Sequence, residues 1–422
     1  MRFTGLAPAA ASWRAVLVLA LATLHTLVPR VAHASYEEFA SLNLGREEED
    51  DENLLDHVLV RPPIEWREEW EQATGAFRSS QGCFTSGQWY LDHDLKIRVP
   101  MGDTTYLALG IREVSDMESA YDWVQFDVRF PLPRLGLWGV RARPTFDKSR
   151  QDVGLLWDGG RPGSALAVQA VMGLEDLFNK LWSLRQVRVG DESEPYERHP
   201  YEPALRMAWR GRGPRAELGG KWLTPSIKRI DASDPAQRRR EHLWGVKHDA
   251  SLVQRFGTTT AELQFEQVQS ASFAYWESVP GDHHVYQRRW RAEGALSRQV
   301  GAHGRLTARF FYQERTQVWR PPLANATLEI IDRMPMVEGA FQAPFQTYAR
   351  VGCMRNRVTV AELGRLPVRT WGTRVETRAF LALQIRFGRV LLQGMECVEL
   401  DREIYDVAFI HDKGFLHIQT TF

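Results

Sequence analysis

Arginine side chains recur on one face of several extended segments of the chain. Between residues 371 and 387, Arg374, Arg378 and Arg386 share one parity with Glu376. A guanidinium group is a planar donor of fixed geometry that suits carboxylates and phosphates. A set of such groups around a cavity favours the passage of hydrated, anionic cargo, and aromatic rings among them could stack on the faces of sugars.

The alternation indicates that β-strands position these groups. At 304–315, Leu306 and Phe310 alternate with Arg305 and Arg309. Side chains of one parity share one face of a strand, so the apolar and charged residues face different media. A charged group at the lipid midplane costs roughly 2–4 kcal/mol, and the sequence therefore predicts a transmembrane barrel with a charged lumen. The predicted lumen residues are Arg98, Arg129, Arg141, Arg143, Arg206, Arg210, Arg289, Arg291, Arg305, Arg309, Arg374, Glu376, Arg378 and Arg386.

Two interpretations of this inner face remain open. Arg–Glu pairs in cross-strand ladders could stiffen and fill the barrel, and for any single Arg this interpretation is favoured. For the lumen as a whole a conduit is favoured, because 16–18 strands enclose more space than side chains fill. Arg288 and Glu396 fall on the outer face, and we expect them at the membrane interfaces or beside a bulge. The acidic residues expected on the inner face are Asp92, Asp94, Glu217, Glu262, Glu266 and Glu293.

The last strand carries a pattern of its own. Leu416, Ile418, Thr420 and Phe422 form one face, and polar residues such as His417 lie between them. This pattern resembles the C-terminal insertion signal of Gram-negative outer-membrane β-barrels, whose terminal Phe is read by the barrel-insertion machinery. The resemblance implies an all-β fold, a transmembrane antiparallel up-and-down β-barrel in the outer membrane. It also implies outer-membrane lipid and the insertion machinery as partners.

The N-terminal segment is typical of a secretory signal peptide. Arg2 and Arg14 precede an uncharged run at 15–28, and Ala32 and Ala34 form a small-x-small site that predicts cleavage after position 34. The run is shorter than the roughly 20 apolar residues that a membrane-spanning helix needs. We therefore assign residues 1–34 to a signal peptide, 35–63 to an acidic and largely disordered periplasmic lead-in, and 64–422 to the barrel.

The connections between strands predict the strand number. Short turns, for example at Gly102 and Gly388, alternate with longer polar connections, as in outer-membrane barrels with periplasmic turns and extracellular loops. The strand at 88–100 then runs toward the periplasm and requires an earlier outward strand, for which 64–70 is the candidate. We predict 18 strands, with 16 as the alternative because the patterns at 150–173 are weak. The longer connections are expected at about 174–200, 226–240, 274–283 and 320–332.

Motifs for catalysis and cofactor binding are absent from the sequence. It contains no G-x-S-x-G, H-E-x-x-H or C-x-x-C-H motif, and we predict neither enzymatic activity nor a cofactor or bound metal. His248 and Asp249 are neighbours on a strand, so they point to opposite faces and cannot share a proton directly. The same argument applies to His93 between Asp92 and Asp94 and to His411 before Asp412. The predicted signal peptide contains three of the 53 basic residues, and its removal leaves 50 against 53 acidic residues. This net charge of about −3 argues against nucleic-acid binding.

Cysteine placement argues against a disulfide between the two C-terminal cysteines. The chain has three Cys residues, Cys83, Cys353 and Cys397. Alternation places Cys353 toward lipid and Cys397 toward the lumen, so the two side chains diverge.

The leading functional hypothesis is a conduit that exports an extracellular polysaccharide. The strand number, the short periplasmic segment and the basic and aromatic lumen are similar to barrels that export exopolysaccharide, including the porin portion of polysaccharide secretins. This resemblance implies a periplasmic polysaccharide-export protein and an inner-membrane polymerase as partners. The alternatives are a general or solute-specific diffusion porin and a structural barrel of a motility or adhesion complex. The barrel is expected to be monomeric or trimeric.

Overall fold

The structure, a computed structural model, describes most of the chain beyond residue 73. The predicted signal peptide, the acidic lead-in and the segment 64–70 lie outside the described residues. All described residues belong to one compact unit, Asn43–Phe422. The described ranges are 74–84, 89–101, 105–115, 120–132, 136–143, 152–159, 165–174, 196–210, 213–232, 234–277, 282–301, 304–320, 327–343, 346–363, 370–400 and 411–422.

Nineteen strands form a single antiparallel sheet in the described part of the chain. One turn of 3₁₀-helix, Pro235–Gln237, is the helical element there, and no helix of the described residues is long and apolar enough to cross a membrane. The strands are β1 (Gly75–Phe84), β2 (Trp89–Pro100), β3 (Tyr106–Ser115), β4 (Ala120–Leu132), β5 (Gly136–Arg143), β6 (Asp152–Gly159), β7 (Leu166–Leu174), β8 (Tyr196–Arg198), β9 (Tyr201–Arg210), β10 (Arg215–Ile230), β11 (Arg239–Phe256), β12 (Thr259–Trp276), β13 (Asp282–Val300), β14 (Gly304–Arg320), β15 (Thr327–Ala343), β16 (Thr347–Leu363), β17 (Thr370–Phe387), β18 (Val390–Glu399) and β19 (His411–Thr421).

The sheet closes on itself as a barrel. Consecutive strands pair with one another except around β8, where β7 pairs with β9, and β1 pairs with both β2 and β19. The three-residue strand β8 pairs with β10 just above β9, so β8 and β9 occupy one position in the ring. Eighteen strands therefore complete the circle, and the predicted all-β up-and-down barrel of 18 strands is confirmed. A closed ring leaves no sheet edge, which is the condition for strands to cross a bilayer.

The first strand of the barrel is not the predicted one. The closing strand is Gly75–Phe84, whereas the sequence suggested 64–70. The outward positions of β1 include Phe77, Ser79 and Gln81, so its outer face lacks the apolar alternation that marks the other strands. Backbone hydrogen bonds to the strands on both sides hold β1 in place even so. The weak segment at 150–173 contains the two strands β6 and β7, which decides for 18 strands over 16.

The two faces of the wall differ in character, as the alternation predicts. On β16 and β17, Val351 and Leu381 are 60% and 61% exposed on the outer face. Their neighbours Arg350 and Ala382 are 1% and 0% exposed on the inner face. Large apolar side chains on the outside and polar, packed side chains on the inside match a barrel whose outer surface contacts lipid.

The tight turns lie at one end of the barrel together with the C-terminus. Gly257, Gly301 and Gly388 adopt positive φ in these turns, a conformation that glycine reaches without steric cost. Thr421 donates a backbone hydrogen bond to Arg389 in the turn after β17, which places Phe422 at the same end. Since short turns are periplasmic in outer-membrane barrels, this is the periplasmic end.

At the opposite end the strands extend further than the sequence indicates. The connections expected at 226–240, 274–283 and 320–332 shrink to 231–238, 277–281 and 321–326. The polar segments on either side pair as regular strands. Apolar alternation marks only the part of a strand that faces hydrocarbon, whereas backbone pairing continues above it.

Candidate functional site

A buried ladder of four charged residues crosses β13 to β16 on the lumen side. Arg309 donates to Glu293 at 3.1 Å and to Glu338 at 3.3 Å. Arg350 donates through Nε and Nη2 to the two oxygens of Glu338 at 2.9 and 2.6 Å. The strand register brings them together, since Arg309 and Arg350 are the direct cross-strand partners of Glu338 and Ala340 on β15. Each carboxylate therefore meets a guanidinium of a neighbouring strand.

A second cluster is centred on Glu266 of β12. Its carboxylate accepts hydrogen bonds from Arg289 at 3.3 Å and Arg291 at 3.2 Å, and it lies 3.1 Å from the Nζ atom of Lys247. Arg291 also donates to Gln313 on β14 at 2.7 Å. Three cations thus share one carboxylate, and they hold it in the wall.

A third cluster lies across β4 to β7. Arg141 forms a bidentate pair with Asp127, at 2.9 and 3.0 Å, and Arg129 pairs with Asp158. Gln169 donates to Asp158 at 2.8 Å. These contacts tie four neighbouring strands together on the inner face.

Many of the predicted lumen arginines are therefore bound into the wall. Arg289 and Arg309 are 1% and 7% exposed, and Arg378 is buried as well. Removing one member of a buried pair leaves the other charge uncompensated at a cost of about 3–5 kcal/mol. For these arginines the ladder interpretation describes what the structure shows, and they are poorly placed to touch a passing molecule.

An apolar cluster occupies the middle of the inner wall between β14 and β18. Phe311 and Phe380, which alternation also places on the inner face, are 3% and 2% exposed, so these two rings are not accessible for stacking on a sugar. A signal for this cluster is present in the sequence, because Met334 and Met336 occupy alternating inward positions of β15. This signal is not used in the prediction of the lumen. We call it the lumen apolar cluster, and it consists of Phe311, Met334, Met336, Met354, Phe380, Ala382, Met395 and Cys397.

The inward basic side chains that are fully exposed in the described part of the chain lie at the periplasmic end, together with two that are partly exposed. Val99 of β2 points outward, so Lys96 and Arg98, which have the opposite parity, face the lumen. Both are exposed. Arg206 of β9 is exposed and lies 2.6 Å from Glu217. Each lies within four residues of a periplasmic strand end. We call this set the periplasmic basic ring, and it consists of Lys96, Arg98, Arg206, Arg215, Arg255, Arg305 and Arg386.

Acidic residues also lie on the inner face near the periplasmic end, but Asp158 and Glu217 are only partly exposed and Glu262 is buried, so the exposed inward charges of the described residues there are basic. Toward the extracellular end, inward charges of both signs lie together, as in the 2.5 Å pair between Arg239 and Glu241 and in Arg315 opposite Asp332. Among the predicted lumen residues, Arg98, Arg206, Arg305 and Arg386 belong to the ring. Arg143, Arg210, Arg374 and Glu376 lie on β5, β9 and β17, and their side chains are outside the described set.

Two of the histidines considered for catalysis pack against aromatic rings, and the side chain of His411 lies outside the described set. His248 packs edge-on against Trp222 on the outer face, with ring centroids 6.0 Å apart, whereas Asp249 faces inward near Gly219. His93 stacks on Phe77 at 6.1 Å. Within the described ranges, no three His, Cys, Asp or Glu side chains are placed to hold a metal ion.

Neither of the two C-terminal cysteines forms a disulfide bond. Cys353 is partly exposed and Cys397 is buried in the lumen apolar cluster, as their parity predicts.

Comparisons with known proteins return a fold likeness. No family model and no curated protein match the sequence. The crystal structure of OccAB3 from Acinetobacter baumannii is 8% identical in sequence with a TM-score of 0.42. The match covers 82% of this chain and 98% of the OccAB3 chain. A bacterial polysaccharide outer membrane secretin is 8% identical with a TM-score of 0.39, covering 83% and 99%. CdiB from A. baumannii is 12% identical with a TM-score of 0.40, and this chain covers 60% of its length.

At these identities and TM-scores the likeness carries no argument about cargo or mechanism. The membrane placement follows from the molecule itself, which has a closed antiparallel ring, an apolar outer face and a charged inner face. Barrels of 16–18 strands are wide enough to enclose an aqueous channel. The chain is an outer-membrane β-barrel with the architecture of a channel.

Proposed function

We propose that this barrel is a conduit through which an acidic extracellular polysaccharide leaves the periplasm. The periplasmic basic ring is the observation that carries the proposal. Five of its side chains, those of Lys96, Arg98, Arg206, Arg215 and Arg255, are exposed at the entrance to the lumen. An entrance whose exposed charges are mostly of one sign concentrates counter-charged molecules and speeds their association. A polyanion arriving from the periplasm would meet this ring first.

The lumen beyond the ring supports sliding rather than tight binding. Along β13 to β16, the buried ladder of Glu293, Arg309, Glu338 and Arg350 is internally paired. A paired guanidinium has few donors left to hold a carboxylate or sulfate on the polymer. The ring would capture the chain, and the neutralised wall would let it advance. A polymerase and a periplasmic export protein remain the partners that such a route requires.

A solute-specific diffusion porin for small anions is the second candidate, because the same ring would attract small anions. The two functions predict different phenotypes for cells that lack the barrel. Loss of an export conduit removes surface polysaccharide and leaves small-solute uptake intact, whereas loss of a diffusion porin does the reverse.

The test is deletion of the gene followed by complementation. The natural host without the barrel is expected to lack surface acidic polysaccharide, measured by uronic acid assay of the cell surface, and to take up small anions normally. Complementation with the triple variant Lys96→Gln, Arg98→Gln, Arg255→Gln should restore less than about a third of the wild-type polysaccharide. Arg298→Gln, on the outer face of β13 near the same end, should restore it fully. If the deletion strain keeps its surface polysaccharide but loses anion uptake, the export function is wrong and the diffusion porin is supported.

A further inference from the structure

A group of charged residues lies on the outer face of the barrel near its extracellular end. A strand rises about 3.3 Å per residue and a barrel strand tilts by about 40°, so each residue climbs about 2.5 Å. Arg288, Glu314, Arg333 and Arg357 are ten or more residues from the periplasmic ends of their strands. They therefore lie about 25 Å up, where the apolar band ends and the headgroups of the outer leaflet begin.

Two aromatic residues mark this level independently. Trp290 and Tyr312 face outward on β13 and β14 with ring centroids 4.8 Å apart. Trp290 is the direct cross-strand partner of Glu314, and Tyr312 lies two residues below Glu314 on the same strand. Tyr and Trp gather at membrane–water interfaces, where an apolar ring and a polar tip are both accommodated. The Tyr312 hydroxyl donates to Glu314 at 3.2 Å, which connects the aromatic pair to the charged group.

The strand register assembles the arginines into one patch. Glu314 is the direct cross-strand partner of Arg333, and Arg333 is the direct partner of Arg357. Arg355 lies two positions below Arg357 on the same face of β16, about 5 Å lower, and a long Arg side chain can extend from there to the membrane interface. Arg288 lies on β13, diagonal to Glu314. The patch spans four strands, or about 15 Å at about 4.8 Å per strand.

The patch carries more positive charge than the protein balances. Arg333 donates to Glu314 at 2.7 Å, which neutralises one guanidinium. No carboxylate of the described residues pairs with Arg288, Arg355 or Arg357, and these three side chains are exposed. Like charges placed directly opposite one another on adjacent strands, as Arg333 and Arg357 are, destabilise a sheet. An anion between them would remove that penalty.

We propose that this patch, Arg288, Arg333, Arg355 and Arg357, binds the phosphate groups of a glycolipid of the outer leaflet. The occupant is a lipid because the patch faces away from the lumen and lies at headgroup height beside exposed apolar side chains such as Val337 and Val351. Acyl chains would cover that apolar surface while the arginine forks bind phosphate oxygens in bidentate fashion. The proposal requires only the membrane placement and is independent of any cargo.

The experiment measures phosphorylated glycolipid retained by the purified full chain. Wild-type barrel extracted in mild detergent from outer membranes should keep lipopolysaccharide through gel filtration, quantified by native mass spectrometry. The variant Arg355→Gln, Arg357→Gln should retain at least about fivefold less. Arg298→Gln, an exposed outward arginine at the periplasmic end of β13, is the matched control and should retain the wild-type amount.

A gain-of-binding variant separates the proposal from loss of fold. Glu314→Gln removes the competing carboxylate from Arg333 and should raise retention above that of wild type, which a misfolded barrel cannot do. Delipidated barrel should rebind lipid A in vesicles but not the same lipid after enzymatic dephosphorylation. Equal rebinding of dephosphorylated lipid, or full displacement by millimolar inorganic phosphate, would overturn the assignment to a glycolipid. Unchanged retention in the double variant would overturn the site.

Discussion

Phe422 and Gly75 exchange two backbone hydrogen bonds at the seam where the barrel closes. The Gly75 amide donates to the Phe422 carbonyl at 3.0 Å and the Phe422 amide donates to the Gly75 carbonyl at 2.8 Å. The phenyl ring of Phe422 lies over the α-carbon of Gly75, in the space that a β-carbon there would occupy. The terminal aromatic residue expected to serve in insertion thus also seals the ring, and Thr74 donates a side-chain hydrogen bond to the same carbonyl at 3.0 Å.

Replacing Gly75 by Val should impair closure of the barrel. The new side chain cannot coexist with the Phe422 ring in its present position, so the ring or the strand end must shift. We expect the folded fraction to fall at least twofold, measured as the heat-modifiable band on a gel after refolding into vesicles. Gly394→Ala on β18 is the control, because a β-carbon there has no heavy atom within 4 Å. Equal folding of the two variants would show that the seam tolerates the bulk.

Breaking the Arg350–Glu338 pair should strongly destabilise the folded barrel. Arg350→Met leaves the Glu338 carboxylate with one partner, Arg309, in a site where both carboxylate and guanidinium are almost fully buried. We expect the free energy of unfolding in urea to fall by about 3 kcal/mol. Arg333→Met, which removes a pair whose arginine side chain is 48% exposed, should cost less than about 1 kcal/mol. A loss no larger for Arg350→Met than for Arg333→Met would contradict the burial argument.

The lumen apolar cluster should contribute to stability through packing. Met336 is 1% exposed on the inner face, and its neighbour Val337 is 56% exposed on the outer face. Met336→Ala creates a cavity in a packed region and should cost about 2–4 kcal/mol. Val337→Ala should cost less, because lipid chains replace the lost contacts. The two variants are compared by urea unfolding in vesicles. An equal cost would show that the inner wall is not packed as described.

The capture of anionic cargo should weaken as salt concentration rises. The periplasmic basic ring is exposed to water, where interactions between charges are screened over about 10 Å at 0.1 M salt and about 3 Å at 1 M. Binding of an acidic oligosaccharide to the detergent-solubilised barrel, followed by isothermal titration calorimetry, should therefore weaken at least tenfold between 0.1 and 1 M salt. A salt-independent affinity would point to contacts other than the ring.

The sequence predicts the barrel well because a single physical rule produces it. Residues of one parity face lipid. On β17 the apolar Leu381 and Leu383 have one parity and the polar Arg378 and Gln384 the other, and this alternation predicts the strand. The rule does not detect β1, because its outward positions include the polar residues Ser79 and Gln81. For this reason the first strand is predicted at the wrong position. The rule also stops applying where the hydrocarbon region ends, so it predicts loops at the positions of the upper parts of the long strands.

The state of the lumen is harder to predict than the fold. Parity places Arg98 and Arg350 on the same inner face, yet Arg98 is exposed and Arg350 is 1% exposed. The difference depends on partners from other strands, such as Glu338, whose registers emerge only when the ring is assembled. The outward arginines at 333 and 357 were overlooked for the same reason, because they form a patch only across strands.

Single-channel recording tests the conduit most directly. The refolded barrel in a planar bilayer should conduct, select anions over cations, and be blocked by an acidic oligosaccharide more strongly from the side of the periplasmic basic ring. In the triple variant Lys96→Gln, Arg98→Gln, Arg255→Gln, the concentration for half-block should rise about tenfold, and Arg298→Gln should behave as wild type. A correctly folded barrel that carries no current, or one whose open current is indifferent to acidic oligosaccharides on both sides, would contradict the proposed export of an acidic polysaccharide.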